Sequence, residues 1–329
     1  MTTIKDVAQR AGVSVATVSR VLSGYPYVSA EARELVLQAA EALGYAPDQV
    51  ARSMRLRRSN MIGLVISTIE NVFFTEVARA AEQAAHAQGY HLVVCNTDEQ
   101  IEREENYLTL LSRQLVAGVI LAPAPGPAAG RALLQASPFP LVLINRRIEG
   151  LPYPAITADD EQASFECTSW LIAQGRRRIA AITGLPGATT TEARRHGFRR
   201  AFTAAGLPLD PADEVAGRAT IEGGYQATVA LLQRTQRPDA LLAFNNVMTQ
   251  GAVMAVQDAG LRWPDDIDIA GFGFFQTARL YRPPLTLIDQ PTHEMGTRAV
   301  ASLIAQIEGR NNGLSGDLVL HNRLVAAQR

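Results

Sequence analysis

The stretch from Ile4 to Gly24, IKDVAQRAGVSVATVSRVLSG, constrains this chain more than any other part of it. Ile4, Val7, Ala8 and Ala11 fall on one face at helical spacing, Gly12-Val13-Ser14 breaks the run, and Val18, Val21 and Leu22 make a second apolar stripe. The spacing predicts a helix-turn-helix. Thr3 and Asp6 make a capping box for the first helix, and Ser14 stands where it can accept orphan N–H groups at the start of the second. Ala8 and Gly12 are small enough for the helices to cross closely. Residues 29–43, SAEARELVLQAAEAL, predict a third amphipathic helix with Leu35, Val36, Ala39 and Leu43 inward and Gly44 as its stop. A plain three-helix bundle would show the same pattern. In a helix-turn-helix that reads DNA, the second helix lies in the major groove with its first residues against base edges. Val15, Ala16 and Arg20 are then the candidate readers, and Thr17 and Ser19 are candidates for phosphate. Thr3 and Ser14, at the two helix starts, complete the DNA-facing set of the head.

The distribution of charge favours the DNA-reading alternative. Over all 329 residues the net charge is −1, which alone speaks against a nucleic-acid partner. Residues 1–60 hold eight Lys or Arg against five acids, so the amino-terminal part is positive and the rest is acidic. That is the layout of a DNA-binding head on a sensor body. The length and the 47% apolar content supply several cores, hence two or three folded units. Cys95 and Cys167 sit in apolar or helical contexts and predict buried free thiols in a reducing cytoplasm. No stretch approaches eighteen uninterrupted apolar residues, and Lys5 and Asp6 stand where a signal peptide would begin its apolar core. A soluble, cytoplasmic, nucleoid-associated protein with no membrane partner is expected.

Between the third helix and the body lies a basic segment, Tyr45-Ala46-Pro47-Asp48-Gln49-Val50-Ala51-Arg52-Ser53-Met54-Arg55-Leu56-Arg57-Arg58-Ser59. A helix there is marginal by itself, because nucleation is costly and the arginines repel. Phosphates would remove the repulsion, so Arg52 and Arg55 are candidate backbone contacts and Met54 a candidate apolar wedge for the minor groove. A flexible basic linker is the alternative.

From Met61 onward, strands alternate with helices: strands at 61–67, 91–95, 116–122 and 141–144 with helices at 74–88 and 102–114, then helices at 160–174, 192–205, 223–234 and 247–259 with strands at 179–183, 240–244 and 267–271. The alternation implies two parallel-sheet α/β lobes in succession. A late helix at 293–308 and a late strand at 318–324 are expected to return to the first lobe. The resulting division is 1–46 for the head, 47–60 for the hinge, 61–160 with 291–329 for one lobe, and 161–290 for the other. Ligands of open parallel sheets bind at the carboxyl ends of the strands, so facing lobes make a clamp.

Head, hinge and clamp together resemble the lac repressor / galactose repressor family of bacterial transcription regulators. The resemblance spans essentially the whole chain and rests on IKDVAQRAGVSVATVSRVLSG, GYAPDQVARSMR, IGLVISTIENVFFTEVARAAEQAAHAQGYHLVVCNTDE, ARRHGFRRAF and RPPLTLIDQP. It implies a helix-turn-helix head joined by a hinge to a periplasmic-binding-protein-like core of two doubly wound lobes. It also implies a homodimer on palindromic double-stranded operator DNA, and repression relieved by a small-molecule effector. Val15, Ala16 and Arg20 match the family's base-reading positions; Met54 replaces its minor-groove leucine, and Asp48 replaces its usual asparagine. With no leucine-heptad tail after Leu324, a dimer rather than a tetramer is expected.

By the same resemblance the effector site comprises Phe73, Phe74, Asn145, Arg146, Arg194, Asn245, Gly273 and Gln290. Asn145, Asn246 and Gly273 stand where the family commonly has aspartates that accept hydrogen bonds from sugar hydroxyls. Keeping Arg194 and Arg146, or Arg147, while losing those acids suits an anion, so a sugar acid or sugar phosphate is the expected effector. A neutral sugar or a purine is the alternative.

An enzyme is not expected, since the chain lacks G-x-S-x-G, G-x-x-x-x-G-K-[ST] and a strand-linked G-x-G-x-x-G. His86, His91, His196, His293 and His321 include no H-x-x-x-H pair and no cysteine at metal spacing, so no metal or cofactor is called for. A secreted solute-binding protein would share the clamp but have no use for the head.

Overall fold

The computed structural model describes residues 2–22, 25, 27–45, 59–114, 116–127, 131–273, 281–310 and 316–327. The chain divides into two compact units, Met1–Ser59 and Asn60–Arg329.

In the first unit α1 (Ile4–Ala11), α2 (Val15–Leu22) and α3 (Ala30–Ala42) enclose a small core. Thr3 caps α1 through the expected box: its N–H donates to the Asp6 carboxylate at 2.7 Å, and its hydroxyl accepts from the Asp6 N–H at 3.4 Å. Gly12 ends α1 in the left-handed region at φ 66°, where a side chain would be strained. Val7, Val18 and Val36, one from each helix, are fully buried. The inward face of α3 differs from the expected one. Val36, Ala39 and Ala40 are buried and Leu43 packs against them, whereas Leu35 is 44% exposed. The i, i+3, i+4, i+7 series that starts at Val36 sets the buried stripe, and Leu35 falls about 100° away from it.

The second unit holds two six-stranded sheets. The first orders β11 (Leu318–Leu320), β5 (Ala155–Ala158), β4 (Leu141–Ile144), β3 (Gly118–Leu121), β1 (Met61–Ile66) and β2 (His91–Asn96), all parallel. Ile62, Leu64 and Ile66 face α4 (Val72–Ala87) and α11 (Thr292–Ile307), while Val65, Val119 and Leu121 face Leu108 and Leu111 of α5 (Ile101–Arg113). Both faces are covered, which explains why these strands read as unbroken apolar runs. At Gly296 the α11 backbone comes so close to α4 that a Cβ would meet the Val77 carbonyl oxygen at 2.5 Å.

The second sheet orders β12 (Arg323–Val325), β10 (Thr286–Asp289), β9 (Asp268–Gly273), β8 (Ala240–Ala243), β6 (Ile179–Thr183) and β7 (Glu214–Ala216). Its helices are α7 (Asp160–Ala173), α8 (Thr189–Ala205), α9 (Ile221–Leu232) and α10 (Asn246–Asp258). A short helix, α6 (Ala132–Gln135), belongs to the first lobe.

The chain passes between the sheets three times: from β5 to α7, from β10 to α11, and from β11 to β12. The last passage corrects the expected single strand at 318–324 and the allotment of 291–329 to the first lobe. Asp159 breaks the strand, its carboxylate taking the Asn322 N–H at 2.7 Å and His321 Nδ1 at 2.9 Å. Beyond it β12 runs antiparallel along the edge of β10, where Arg323 pairs with Asp289 at 2.7 Å.

One ion pair is wholly buried in the first lobe. Arg131 donates to Glu104 at 3.1 Å and to the Ala124 carbonyl at 2.8 Å, and the Ala124 N–H donates to Glu104 at 2.7 Å. Burial pushes the Glu104 carboxyl up to about 7 from its ordinary 4.5, against the pull of these partners. Both cysteines are buried and unbridged, and burial raises each thiol. Among the described residues no helix is long and apolar enough to cross a membrane.

Candidate functional site

In the head unit the DNA-facing set divides by exposure. Val15, Ala16 and Arg20 are exposed along one side of α2, while Thr17 and Ser19 are half-buried. The Ser14 hydroxyl accepts the Thr17 N–H at 3.1 Å and lies 2.9 Å from the Thr17 hydroxyl, so it serves as the helix start. The Thr3 hydroxyl is likewise engaged by Asp6 at 2.8 Å. Arg52, Met54 and Arg55 lie outside the described residues.

In the second unit the carboxyl ends of both sheets open on one cleft of about 520 Å³. Phe73, Phe74, Asn145, Arg146, Arg194, Asn245 and Gln290 all line it. Gly273 does not: it borders a separate cavity of about 20 Å³ beside Phe272, Tyr281 and Leu287, because β9 ends behind the first turn of α10. Arg147 also stays outside the cleft, its N–H donating to the Thr189 hydroxyl at 3.3 Å and its guanidinium pairing with Asp317.

Each wall of the cleft has a local cause. Asn71 caps α4, accepting the Phe73 N–H at 2.9 Å, and sets two buried rings edge to face with centroids 5.0 Å apart. They belong at once to the core and to the cleft. Asn245 caps α10 by accepting the Met248 N–H at 2.8 Å. The non-glycine residues with positive φ among those described are Asp98, Glu99, Asn145, Arg218 and Ala219, and every one lines the cleft. Backbone strain confined to one place marks a site that the surrounding fold holds in shape.

The electrostatics depart from the expected cationic pocket. Arg146 makes a bidentate pair with Glu99, at 2.5 and 2.8 Å, and donates to the Pro123 carbonyl at 3.2 Å. Arg194 pairs with Asp160 at 2.8 Å, donates to the Phe244 carbonyl, and lies 3.6 Å over the Phe272 ring. Burial pushes the Asp160 carboxyl up and the Arg194 guanidinium down, and their pairing opposes both shifts. The guanidinium keeps its proton. Altogether Glu70, Asp98, Glu99 and Glu222 line the cleft with Arg146, Arg194 and Arg218, so the lining is not positive. The carboxylates missing at 145, 246 and 273 are replaced from another strand end. Asp98 and Glu99 follow β2 directly, in the NTDE of the sequence, and position alone could have identified them.

Other lining residues escaped the sequence reading: Thr190 and Thr191 in the first turn of α8, Phe244 at the end of β8, and Arg218 with Ala219 after β7. Asn246 also lines the cleft, with its Nδ2 buried and lacking a hydrogen-bond partner. The Nε atoms of Arg146 and Arg194 are buried in the same condition. No cluster of metal-ligating residues occurs among the described residues.

Comparison with known proteins agrees with this architecture at both ends of the chain. The family profile "Bacterial regulatory proteins, lacI family" matches residues 3–48, and "Periplasmic binding proteins and sugar binding domain of LacI family" matches residues 59–321. The chain is 39% identical to the ribose operon repressor of Halalkalibacterium halodurans, covering 94% of this chain and 91% of that one. It is 35% identical to the HTH-type transcriptional repressor PurR of Pasteurella multocida, covering 94% and 93%. Among solved structures the lac repressor dimer bound to operator and the anti-inducer ONPF aligns with TM-score 0.88 at 27% identity, over 99% and 98% of the two chains.

Proposed function

The chain belongs to the LacI family of bacterial regulatory proteins and is a transcriptional repressor, not an enzyme; we propose that the effector filling its cleft is a neutral sugar. The observation that carries this reading is the pairing of Arg146 with Glu99 and of Arg194 with Asp160, which leaves neither arginine as an uncompensated cation for a ligand carboxylate or phosphate. Phe73, Phe74 and Phe244 offer apolar lining, and Asp98 and Glu99 offer carboxylate acceptors for hydroxyls. The likeness to a ribose operon repressor supports a pentose in particular.

A sugar acid or sugar phosphate is favoured by one feature, Arg218. It is exposed in the cleft lining and has no carboxylate partner among the described residues. Titration calorimetry of the full-length protein against ribose, other neutral pentoses and hexoses, gluconate, hexose phosphates and purine bases distinguishes the readings. Binding of a neutral sugar is expected; binding of anions alone would reject it, as would binding of purines alone.

On DNA, a dimer presents two heads to the halves of a palindrome, with Val15, Ala16 and Arg20 against bases and Thr17 and Ser19 toward phosphates. Arg52 and Arg55 of the hinge carry further backbone contacts, and Met54 wedges the minor groove. The effector changes DNA affinity only by the difference in its binding to two arrangements of the lobes, and a coupling of about 1–3 kcal/mol gives a 5- to 150-fold change. Arg20→Ala is expected to weaken specific operator binding by about 1–3 kcal/mol, read as a gel-shift titration; an unchanged titration would remove Arg20 from the reading set.

A further inference from the structure

The loop after α2 carries two aromatic side chains that the head's core does not use. Tyr25 is 47% exposed and Tyr27 is 85% exposed, and neither packs into the apolar cluster of the three helices. They meet edge to face, with centroids 5.8 Å apart and planes at 67°. Tyr25 is also fixed through its backbone. Its N–H donates to the Arg20 carbonyl at 3.0 Å, and its carbonyl accepts from Arg33 of α3 at 2.9 Å. The Arg20 guanidinium lies over the Tyr25 ring, 5.9 Å from the centroid, within the range where a ring face attracts a cation.

We propose that Tyr25 is a positioning residue for Arg20, its ring holding the guanidinium over one side of α2 before DNA arrives. The proposal rests on the reading of Arg20 as a base reader. An arginine side chain has many rotamers, and docking on a base must remove that freedom. A side chain already restrained by a ring loses less of it, so the benefit appears as specific affinity. Tyr27 braces the ring from its edge, and Arg33 ties the loop to α3, so the platform is anchored on both flanking helices.

The test uses the full-length protein, a palindromic duplex selected by it from a randomised library, and a random duplex of equal length. Tyr25→Leu is expected to lose about two- to fivefold in affinity for the selected duplex, the size of an exposed cation–π contact, with binding to random duplex unchanged. Tyr25→Phe, which keeps the ring, is expected to bind as the unaltered protein does. In an Arg20→Ala background Tyr25→Leu is expected to lose nothing further. An equal loss in that background, or a Tyr25→Phe as weak as Tyr25→Leu, would overturn the proposal. A shallower dependence of affinity on salt in Tyr25→Leu would also overturn it, because it would mean that the ring holds the Arg20 guanidinium on a phosphate and not on a base. Loss in Arg20→Ala without loss in Tyr25→Leu sinks the positioning role alone. An Arg20→Ala that kept its operator preference would take the base-reading assignment down with it.

Discussion

Replacing Arg194 with methionine is expected to lower folding stability by about 3–5 kcal/mol and to abolish effector binding in the same protein. The guanidinium is 6% exposed and holds three things together: the Asp160 carboxylate, the Phe244 carbonyl and the face of Phe272. Without it Asp160, itself 4% exposed, keeps among the described residues only a 3.4 Å contact from the Asn322 amide as a side-chain partner. An unpaired charge at that depth is far more costly than the pair was beneficial. Adding Asp160→Asn to the methionine variant removes the stranded charge. The double variant is therefore expected to regain most of the lost stability while still failing to bind. Urea unfolding and calorimetry on the single and double variants separate the two roles. A double variant as unstable as the single one would refute the buried-charge account, and a methionine variant that binds normally would remove Arg194 from the ligand set.

Arg131→Met is the second large effect, again about 3–5 kcal/mol, and it is expected to depend on pH. Arg131 and Glu104 are buried together, and burial already lifts the Glu104 carboxyl to about 7 from 4.5. A carboxyl raised in the folded state favours folding fully below its unfolded value, and that contribution is lost as pH rises through the folded value. Here the window runs from about 4.5 to about 7. Removing the cation raises the folded value further, so the loss extends to higher pH and grows there. Unfolding near pH 8 should show the full destabilisation, and unfolding near pH 5, where Glu104 takes up a proton, a smaller one. Equal losses at both would exclude Glu104 as the cause.

The head was almost wholly legible because its signals are local. A capping box, a left-handed glycine and a 3.6-residue stripe are each set by neighbours in sequence, and only the facing of Leu35 was misassigned. In the core the long elements announced themselves through buried apolar runs. The short ones did not: Ala155–Ala158 and Glu214–Ala216 are three or four residues of mixed polarity, which become strands only through pairing with neighbours that lie far away or are already formed, the first between two strands and the second at a sheet edge. The break between Leu318–Leu320 and Arg323–Val325 depends on a carboxylate more than 160 residues earlier, which no window along the chain can display.

The cleft divides in the same way. Phe73, Asn145, Arg194 and Asn245 could be placed from the family's spacing, but their charge state could not, because it belongs to partners on other elements. Arg146 and Glu99 meet across 47 positions and Arg194 and Asp160 across 34, and these pairings turn an apparently cationic pocket into a balanced one. Gly273 shows the converse: a position at a strand's carboxyl end can still be screened from the cleft by a neighbouring helix start.

The three passages between the sheets make each lobe a patchwork of distant segments, and this sets the unit in which such a molecule can be inherited or rebuilt. A single recombination joint inside the receptor would build its lobes from segments of two different parents, whose packing surfaces must then match. The reading head, by contrast, is one uninterrupted stretch that ends before the first strand begins. New pairings of signal and promoter are therefore more simply had by exchanging heads on intact receptors than by exchanging lobes.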